Sequence, residues 1–313
     1  MLTTNFTFLS NDGKTAVHAV KWTPDSGEIK AILQITHGMV EFIERYERFA
    51  EFLTKNGYMV VGHDHIGHGQ SVASKDDWGY FCEGSPSDVL VEDIHKLRTL
   101  IQDEMKGAPY FIMGHSMGSF ILRKYLAVHN QNLRGAIIMG TGFIPGGMSS
   151  LALKLTALVG KLRGSKHRSK LIQSLAFGAD YKNFDMTGEK PENSWLTKDV
   201  EIVKWYYNEP RCTYMFTVNG YQGLFESVNF SCNPENAKKL PKKLPLFIVS
   251  GEQDPVGGLG KGVLDVYNMY HLAGMLDLTY KLYENDRHEI LNETDRQVVF
   301  DDLLAWMNVR IDT

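Results

Sequence analysis

Short, uninterrupted apolar runs recur along most of this chain, and amphipathic stretches separate them. The runs are KAILQITHG, YMVVGHDH, YFIMG, RGAIIMG, LPLFIVSGEQDP and LDLTYKLYE. Apolar runs this short, without polar alternation, read as strands buried on both faces. Between them, EFIERYERFAEFLTKNG (41–57) places Phe42, Tyr46, Phe49 and Leu53 near one helical face and stops at Gly57. Further helices are predicted over 87–105, after Ser116, around 261–273 and over 295–307. Strands alternating with helices predict a parallel, doubly wound sheet covered on both faces. The first residues differ: TAVHAVKW (15–22) alternates as a half-buried antiparallel strand does. In doubly wound sheets the chemistry sits at the carboxyl ends of the strands. His37-Gly38, Asp64-His65 and Ser116 all follow strands directly.

The rhythm breaks from about 142 to 232, where glycines, aromatics and short helical pieces replace strands. The simplest account is a helical insert (143–232) inside a split core (1–142 and 233–313). With 313 residues, 43 % of them hydrophobic, the chain can bury a sizeable core. A net charge of −4 gives no reason to expect nucleic acid. Cys82, Cys212 and Cys232 form no close pair, which fits a reducing compartment. The N-terminus lacks the pattern of a signal peptide, and no apolar run is long enough to span a membrane. The expectation is a soluble, cytoplasmic protein; nothing in the sequence fixes its oligomeric state.

Gly114-His115-Ser116-Met117-Gly118 fits G-x-S-x-G between a strand and a helix. A side chain at Gly114 or Gly118 would collide with the neighbouring strand and helix, and glycine removes it. The turn exposes the Ser116 hydroxyl where the free N–H groups of a helix start favour negative charge. The bland reading is a tight turn with an incidental serine. A serine needs a base to take its proton. Asp254 in GEQDPV and His288 in NDRHEIL each follow a strand, in the chain order expected of an acid and a base. Glu252 and Asp286 compete for the acid's role, while His271 falls within a helix. The oxyanion of an acyl-transfer intermediate needs two backbone donors. The N–H groups of Met117 and Met39 are the candidates.

HDHIGHG (63–69) looks like a metal cluster but misses the H-x-H-x-D-H order, and HEILN ends in Asn292 where a helical zinc site needs histidine. SGEQDPVGGLGKG lacks the phosphate-loop spacing. No metal and no cofactor are expected.

Taken together, these segments are similar to the monoacylglycerol lipase and bacterial lysophospholipase group of the α/β-hydrolases, often grouped with the S33 serine aminopeptidases. HGMVEFIERY resembles the group's oxyanion stretch, GHDHIGHGQS its D-x-x-GHG-x-S segment, and GHSMGS its nucleophile elbow. GEQDPV and RHEILNE resemble its acid and base loops. Phe42 departs from the group, which often has histidine there. The resemblance covers nearly the whole chain. It implies the α/β-hydrolase fold, with a mostly parallel sheet of eight strands and a helical cap after the sixth. It also implies hydrolysis of carboxylic esters through an acyl-enzyme with Ser116, Asp254 and His288. The expected substrate is a small lipid or ester, as for a monoacylglycerol lipase or lysophospholipase. An S33-type aminopeptidase and a general carboxylesterase are the alternatives. A peptidase needs a carboxylate for the substrate's amine, and Glu189, Glu192, Glu201, Glu209 and Glu226 are available.

In the insert, residues 149–179 set Leu151, Leu155, Leu158 and Leu162 at helical spacing. Lys154, Lys161, Arg163, Lys166, Arg168 and Lys170 accompany them, without an acidic residue. Such a segment either meets an anionic lipid surface transiently or packs its leucines on the core. The aromatics of 194–212 either line an acyl path or hold the insert together, and 216–225 is expected near the pocket mouth.

Overall fold

A computed structural model describes residues 1–311, so the last two residues of the 233–313 segment lie outside the described part. Eight strands form one sheet: β1 (Leu2–Leu9), β2 (Ala16–Thr23), β3 (Ala31–Thr36), β4 (Tyr58–His63), β5 (Tyr110–His115), β6 (Gly135–Met139), β7 (Leu246–Gly251) and β8 (Leu278–Tyr283). Their order is β1-β2-β4-β3-β5-β6-β7-β8. The β1/β2 and β2/β4 pairs are antiparallel, and every later pair is parallel. The strands β3 to β7 are buried along their whole length, which is why they read as continuous apolar runs.

Helices α1 (Glu47–Lys55), α2 (Pro86–Glu104) and α3 (Met117–Val128) precede β6. The stretch from 41 to 57 is not one helix. Its first turn is a tight 3-10 turn, Ile43–Tyr46. The Ile43 N–H is taken by the Asp64 carboxylate (2.8 Å) and is held at a strand end. Between β6 and β7 lie α4 (Gly146–Arg163), α5 (Lys170–Ala176), α6 (Val200–Asn208), α7 (Val218–Ser231) and the short α8 (Pro234–Ala237); α9 (Lys261–Leu272) and α10 (Arg296–Asn308) close the chain.

Two clusters flank the sheet. One gathers Ile94, Leu97, Ile121 and Leu122 with Tyr221, Phe225 and Val228 of α7. The other gathers Phe49, Leu53, Phe111, Phe300 and Trp306. Register aligns the strand ends: Thr36 pairs with Gly114, His115 with Met139, and Gly251 with Tyr283. The residues that follow β3, β5, β7 and β8 therefore meet along one edge. Among the described residues no helix is long and apolar enough to cross a membrane.

Candidate active site

Ser116 stands between β5 and α3 with φ 54° and ψ −123°. A positive φ at a residue with a Cβ is strained, by about 1–3 kcal/mol, and persists only where the surroundings impose it. Here the Ser116 N–H donates to the Met139 carbonyl (3.0 Å). Its own carbonyl accepts from the Ser119 N–H (2.8 Å) and the Ser119 hydroxyl (2.6 Å). The flanking glycines leave no room for a side chain. A Cβ on Gly114 would lie 2.4 Å from the Gly118 carbonyl oxygen, and one on Gly118 would lie 2.2 Å from that of Thr36.

Asp254 and His288, chosen from the sequence, come together. His288 Nδ1 is 3.0 Å from each carboxylate oxygen of Asp254. The carboxylate also accepts from the Ser250 hydroxyl (2.8 Å) and the Val256 N–H (2.8 Å). Burial alone would push Asp254 up, but the charge and hydrogen bond of His288, then Ser250 and Val256, hold it below the usual carboxylate range. A carboxylate only accepts, so Nδ1 carries a proton and Nε2 is the nitrogen left to exchange one. The competitors are placed elsewhere. Glu252 is exposed and Asp286 is bound to Lys198 (2.5 Å), while His271 is exposed on α9.

The loop after β3 is fixed by His37. Its Nε2 accepts from the His65 N–H (2.9 Å), so its Nδ1 is protonated and donates to the Gly38 carbonyl (2.8 Å). In a trans peptide the N–H points opposite to the C=O. Anchoring the Gly38 carbonyl on His37 therefore turns the Met39 N–H the other way. A Cβ on Gly38 would lie 2.9 Å from Ser116 Cβ, so the loop touches the serine directly. The next residue, Val40, has φ 55°, an outlier for a β-branched side chain.

A buried charge network, which the sequence did not reveal, joins this loop to the loop that carries His288. Glu41 accepts from the Gly38 N–H (2.5 Å), the Tyr46 hydroxyl (3.0 Å) and Arg45 (2.8 Å). Arg45 also forks onto both oxygens of Glu289 (2.8 and 2.7 Å). His115, inside the G-x-S-x-G turn, sets Nδ1 on Glu41 (3.2 Å) and Nε2 on the His288 carbonyl (3.2 Å). Both partners only accept, so both ring nitrogens donate and His115 is an imidazolium. Glu41, Glu289, Arg45 and His115 then sum to zero charge, the condition under which buried ions are tolerated. Burial opposes the charged forms, but His115 and Arg45 hold Glu41 well below the carboxylate range, and Glu41 and Glu289 raise His115. Glu-x-x-x-Arg, with Glu beside the serine-touching glycine, was the available signal.

In HDHIGHG, Asp64 ties down the Ile43 and Gln70 N–H groups (2.8 Å each) and His18 (3.1 Å). Burial pushes the His63 and His68 rings down to about 3. Two groups bring possible metal ligands within 4.8 Å among the described residues: His18/Glu44/Asp64 and Asp286/Glu293/Asp295. Asp64 is already engaged, and the Lys198 ammonium supplies the positive charge of the second group.

The insert divides. Residues 216–225 are buried except for the half-buried Gln222, with Thr217 and Asn219 bonded to Gly79, Phe81 and Cys82. Phe42 packs with Leu196, Tyr206 and Cys212, and the Arg211 guanidinium lies 3.7 Å from its ring centroid. On α4 and α5 several large apolar side chains face outward, Met148 (66 % exposed), Leu151 (58 %), Leu158 (53 %), Leu162 (71 %) and Leu171 (59 %), while Leu153, Leu155 and Val159 pack on the core and Ile172 is buried. Of the six cations, Arg168 holds the carbonyls of Asp76, Trp78 and Met215, and Lys166 pairs with Asp77. Of the five glutamates, Glu189, Glu192 and Glu201 are exposed. Glu209 is paired with Arg211, and Glu226 accepts from Ser87 and Gln222.

A family model described as serine aminopeptidase, S33, matches residues 27–295. A monoglyceride lipase homolog of Monkeypox virus is 26 % identical, covering 99 % of this chain and 100 % of that one. The human monoglyceride lipase is 25 % identical, covering 93 % of this chain and 86 % of that one. The crystal structure of a highly thermostable carboxyl esterase from Bacillus coagulans, in complex with glycerol, superposes with a TM-score of 0.89. It is 29 % identical and covers 99 % of each chain.

Proposed function

Since the chain belongs to the S33 serine aminopeptidase family of α/β-hydrolases, we propose that it is a serine hydrolase of lipid carboxylic esters, of the monoacylglycerol lipase or lysophospholipase type. One observation carries the reading. His288 bonds both oxygens of a fully buried aspartate at the same sheet edge where a serine is forced to positive φ. Ser116 Oγ attacks the ester carbonyl while His288 Nε2 takes its proton. The Met39 and Met117 N–H groups hold the oxyanion. Met117 is the first residue of α3, where the helix itself offers its N–H no acceptor. Collapse expels the alcohol, which receives the proton from His288, and leaves an acyl-serine. Water, deprotonated by His288, then releases the acid and restores the hydroxyl. Asp254 holds the tautomer and stabilises the imidazolium. The relatives named for monoglycerides support an ester substrate.

We further propose that residues 143–232 are an insert over a core of 1–142 and 233–313, and that its α4–α5 face touches lipid surfaces. The support is an outward row of leucines beside Lys154, Lys161, Arg163 and Lys170, which have no ion-pair partner among the described residues.

The test is a hydrolysis panel of monoacylglycerols, lysophosphatidylcholine, short p-nitrophenyl esters and an aminoacyl anilide. Ser116→Ala is expected to lose about 10³-fold or more in kcat, with long-chain glycerides or lysolipids the best substrates of the wild type. Preference for the anilide moves the protein to the peptidases. Equal rates in wild type and mutant sink the role of Ser116.

A further inference from the structure

The insert segment 192–199 is bonded along its length to the loop that carries His288. The His288 N–H donates to the Trp195 carbonyl (3.3 Å), and the Glu289 N–H to that of Leu196 (2.7 Å). The Arg287 guanidinium donates to the carbonyls of Ser194 (2.5 Å) and Glu192 (3.1 Å). Glu293 returns the contact, accepting from the Thr197 hydroxyl (3.0 Å) and the Lys198 N–H (2.9 Å). The Lys198 ammonium reaches Asp286 at 2.5 Å and Asp295 at 3.5 Å. A lid that only admits substrate would have no need of this stitching.

The same segment lays a ring on the base. The Trp195 indole is stacked on the His288 imidazole, with centroids 5.0 Å apart and planes 26° from parallel. Tyr181 backs Trp195 edge-on (5.4 Å). The Asp254 contact leaves something for this ring to do. Nδ1 is equidistant, at 3.0 Å, from both carboxylate oxygens, so the hydrogen bond fixes where Nδ1 sits. By itself it leaves the imidazole free to roll about that axis; the His115 ring lies against it at 4.7 Å but tilted by 39°, and the indole is the ring stacked nearest to parallel. A flat face packed on the ring removes the roll and keeps Nε2 aimed at one point.

We propose that Trp195 is a positioning residue for His288, so that the general base is assembled jointly by core and insert. This rests on His288 being the base of the reaction proposed above. The indole holds the imidazole plane, and the 192–199 stitching holds the indole. A base that must meet the Ser116 proton and then the leaving oxygen tolerates little misplacement, since about 1 Å can lose about 100-fold in rate.

The experiment uses the full chain and p-nitrophenyl acetate, a soluble ester too short to need an acyl path. Trp195→Leu and Trp195→Met are compared with Trp195→Phe, and Lys198→Met tests the stitching from its solvent side. The non-aromatic variants are expected to lose about 10- to 100-fold in kcat with KM nearly unchanged. Trp195→Phe is expected to keep about a third or more of kcat, because a phenyl face still packs on the imidazole. Lys198→Met is expected to lose a few-fold in kcat. Ring-current shifts of the His288 imidazole protons in the wild-type NMR spectrum, reduced in Trp195→Phe, read the stack without a destabilising change. Absent shifts, or a folded Leu or Met variant with wild-type kcat, overturn the proposal. So does a loss confined to KM or to long-chain substrates, which would make Trp195 a substrate contact. If Ser116→Ala hydrolyses as fast as wild type, the reading beneath the proposal fails; if only Trp195 proves indifferent, that reading stands.

Discussion

The insert has two halves that handle apolar and charged side chains in opposite ways. On α4 the fully buried residues are small (Ser149, Ala152 and Thr156) and Leu153, Leu155 and Val159 are only half-buried, while Leu158 and Leu162 face outward beside Lys161 and Arg163, which have no ion-pair partner among the described residues. Over 192–212 Leu196, Val203, Tyr206 and Cys212 turn inward, and Trp205 alone of the large apolar side chains stays exposed. Leu196, Tyr206 and Cys212 close on Phe42, and the Tyr206 hydroxyl donates to the Val40 carbonyl (3.2 Å) in the loop that carries Met39. The guanidinium of Arg45 lies 5.0 Å from the Tyr206 ring, so the inward half rests on the buried charge network itself. The first half therefore keeps surface available to something outside the chain. The second half has already used its surface on the two loops flanking Ser116.

The comparison can be broken most sharply at Arg45. Arg45→Met leaves Glu41 and Glu289 buried without their shared cation, and a loss of about 3–5 kcal/mol is expected in urea or thermal unfolding. A stability equal to wild type would mean the inward half does not depend on the network. Phe42→Ala opens a cavity under Leu196 and Tyr206 and is expected to cost about 3 kcal/mol. It should also lower kcat on a short ester, whereas a change seen only with long-chain lipids would make the inward half a mere lid.

A pH series on His115→Gln sharpens the same point. Burial opposes the His115 charge, but Glu41 and Glu289 raise its pKa. The stability it contributes is thus full below the unfolded value of about 6.5 and is lost as pH rises through the folded one. Glu41 and Glu289 are both held low, so their contribution is lost as pH falls from about 4.3 through their folded values. Wild type should exceed His115→Gln by about 2 kcal/mol near pH 6 and by less on either side. A difference independent of pH would show that His115 is not charged. The smallest effect is expected on the outward half. Leu158→Asp with Leu162→Asp should leave stability within about 0.5 kcal/mol, yet weaken co-sedimentation with anionic vesicles. Unchanged vesicle binding would remove the reason to treat the two halves as different surfaces.

Much of this was legible in the residues. Strands buried on both faces read as apolar runs because no solvent-facing position interrupts them, and Ser116 and Asp254 follow such runs; the run before His288 is instead the edge strand β8, largely open to solvent. Gly114 and Gly118 were legible because a close backbone approach excludes every other residue. The leucine row of α4 was legible only as a stripe, since periodicity gives the width of an apolar face and not the direction it points. Glu41 and Glu289 lay open in the sequence, yet Arg45 and Glu289 are 244 residues apart and nothing local pairs them. Val40 gave no sign of its positive φ, because valine is among the residues least suited to it.

The sequence by itself determined the order of strands and helices, the sharp turn at Ser116 and the place of Asp254 and His288 after later strands. These follow from local rules, namely burial of apolar runs, steric exclusion at glycine and the caps and breaks of helices. Only the tertiary structure decided the charge-neutral group of Glu41, Arg45, His115 and Glu289, the indole of Trp195 on His288, and which half of the insert faces inward. Those are long-range pairings in a buried, low-dielectric setting. Charges there must be compensated by whatever the fold brings near, however far away it lies in the chain.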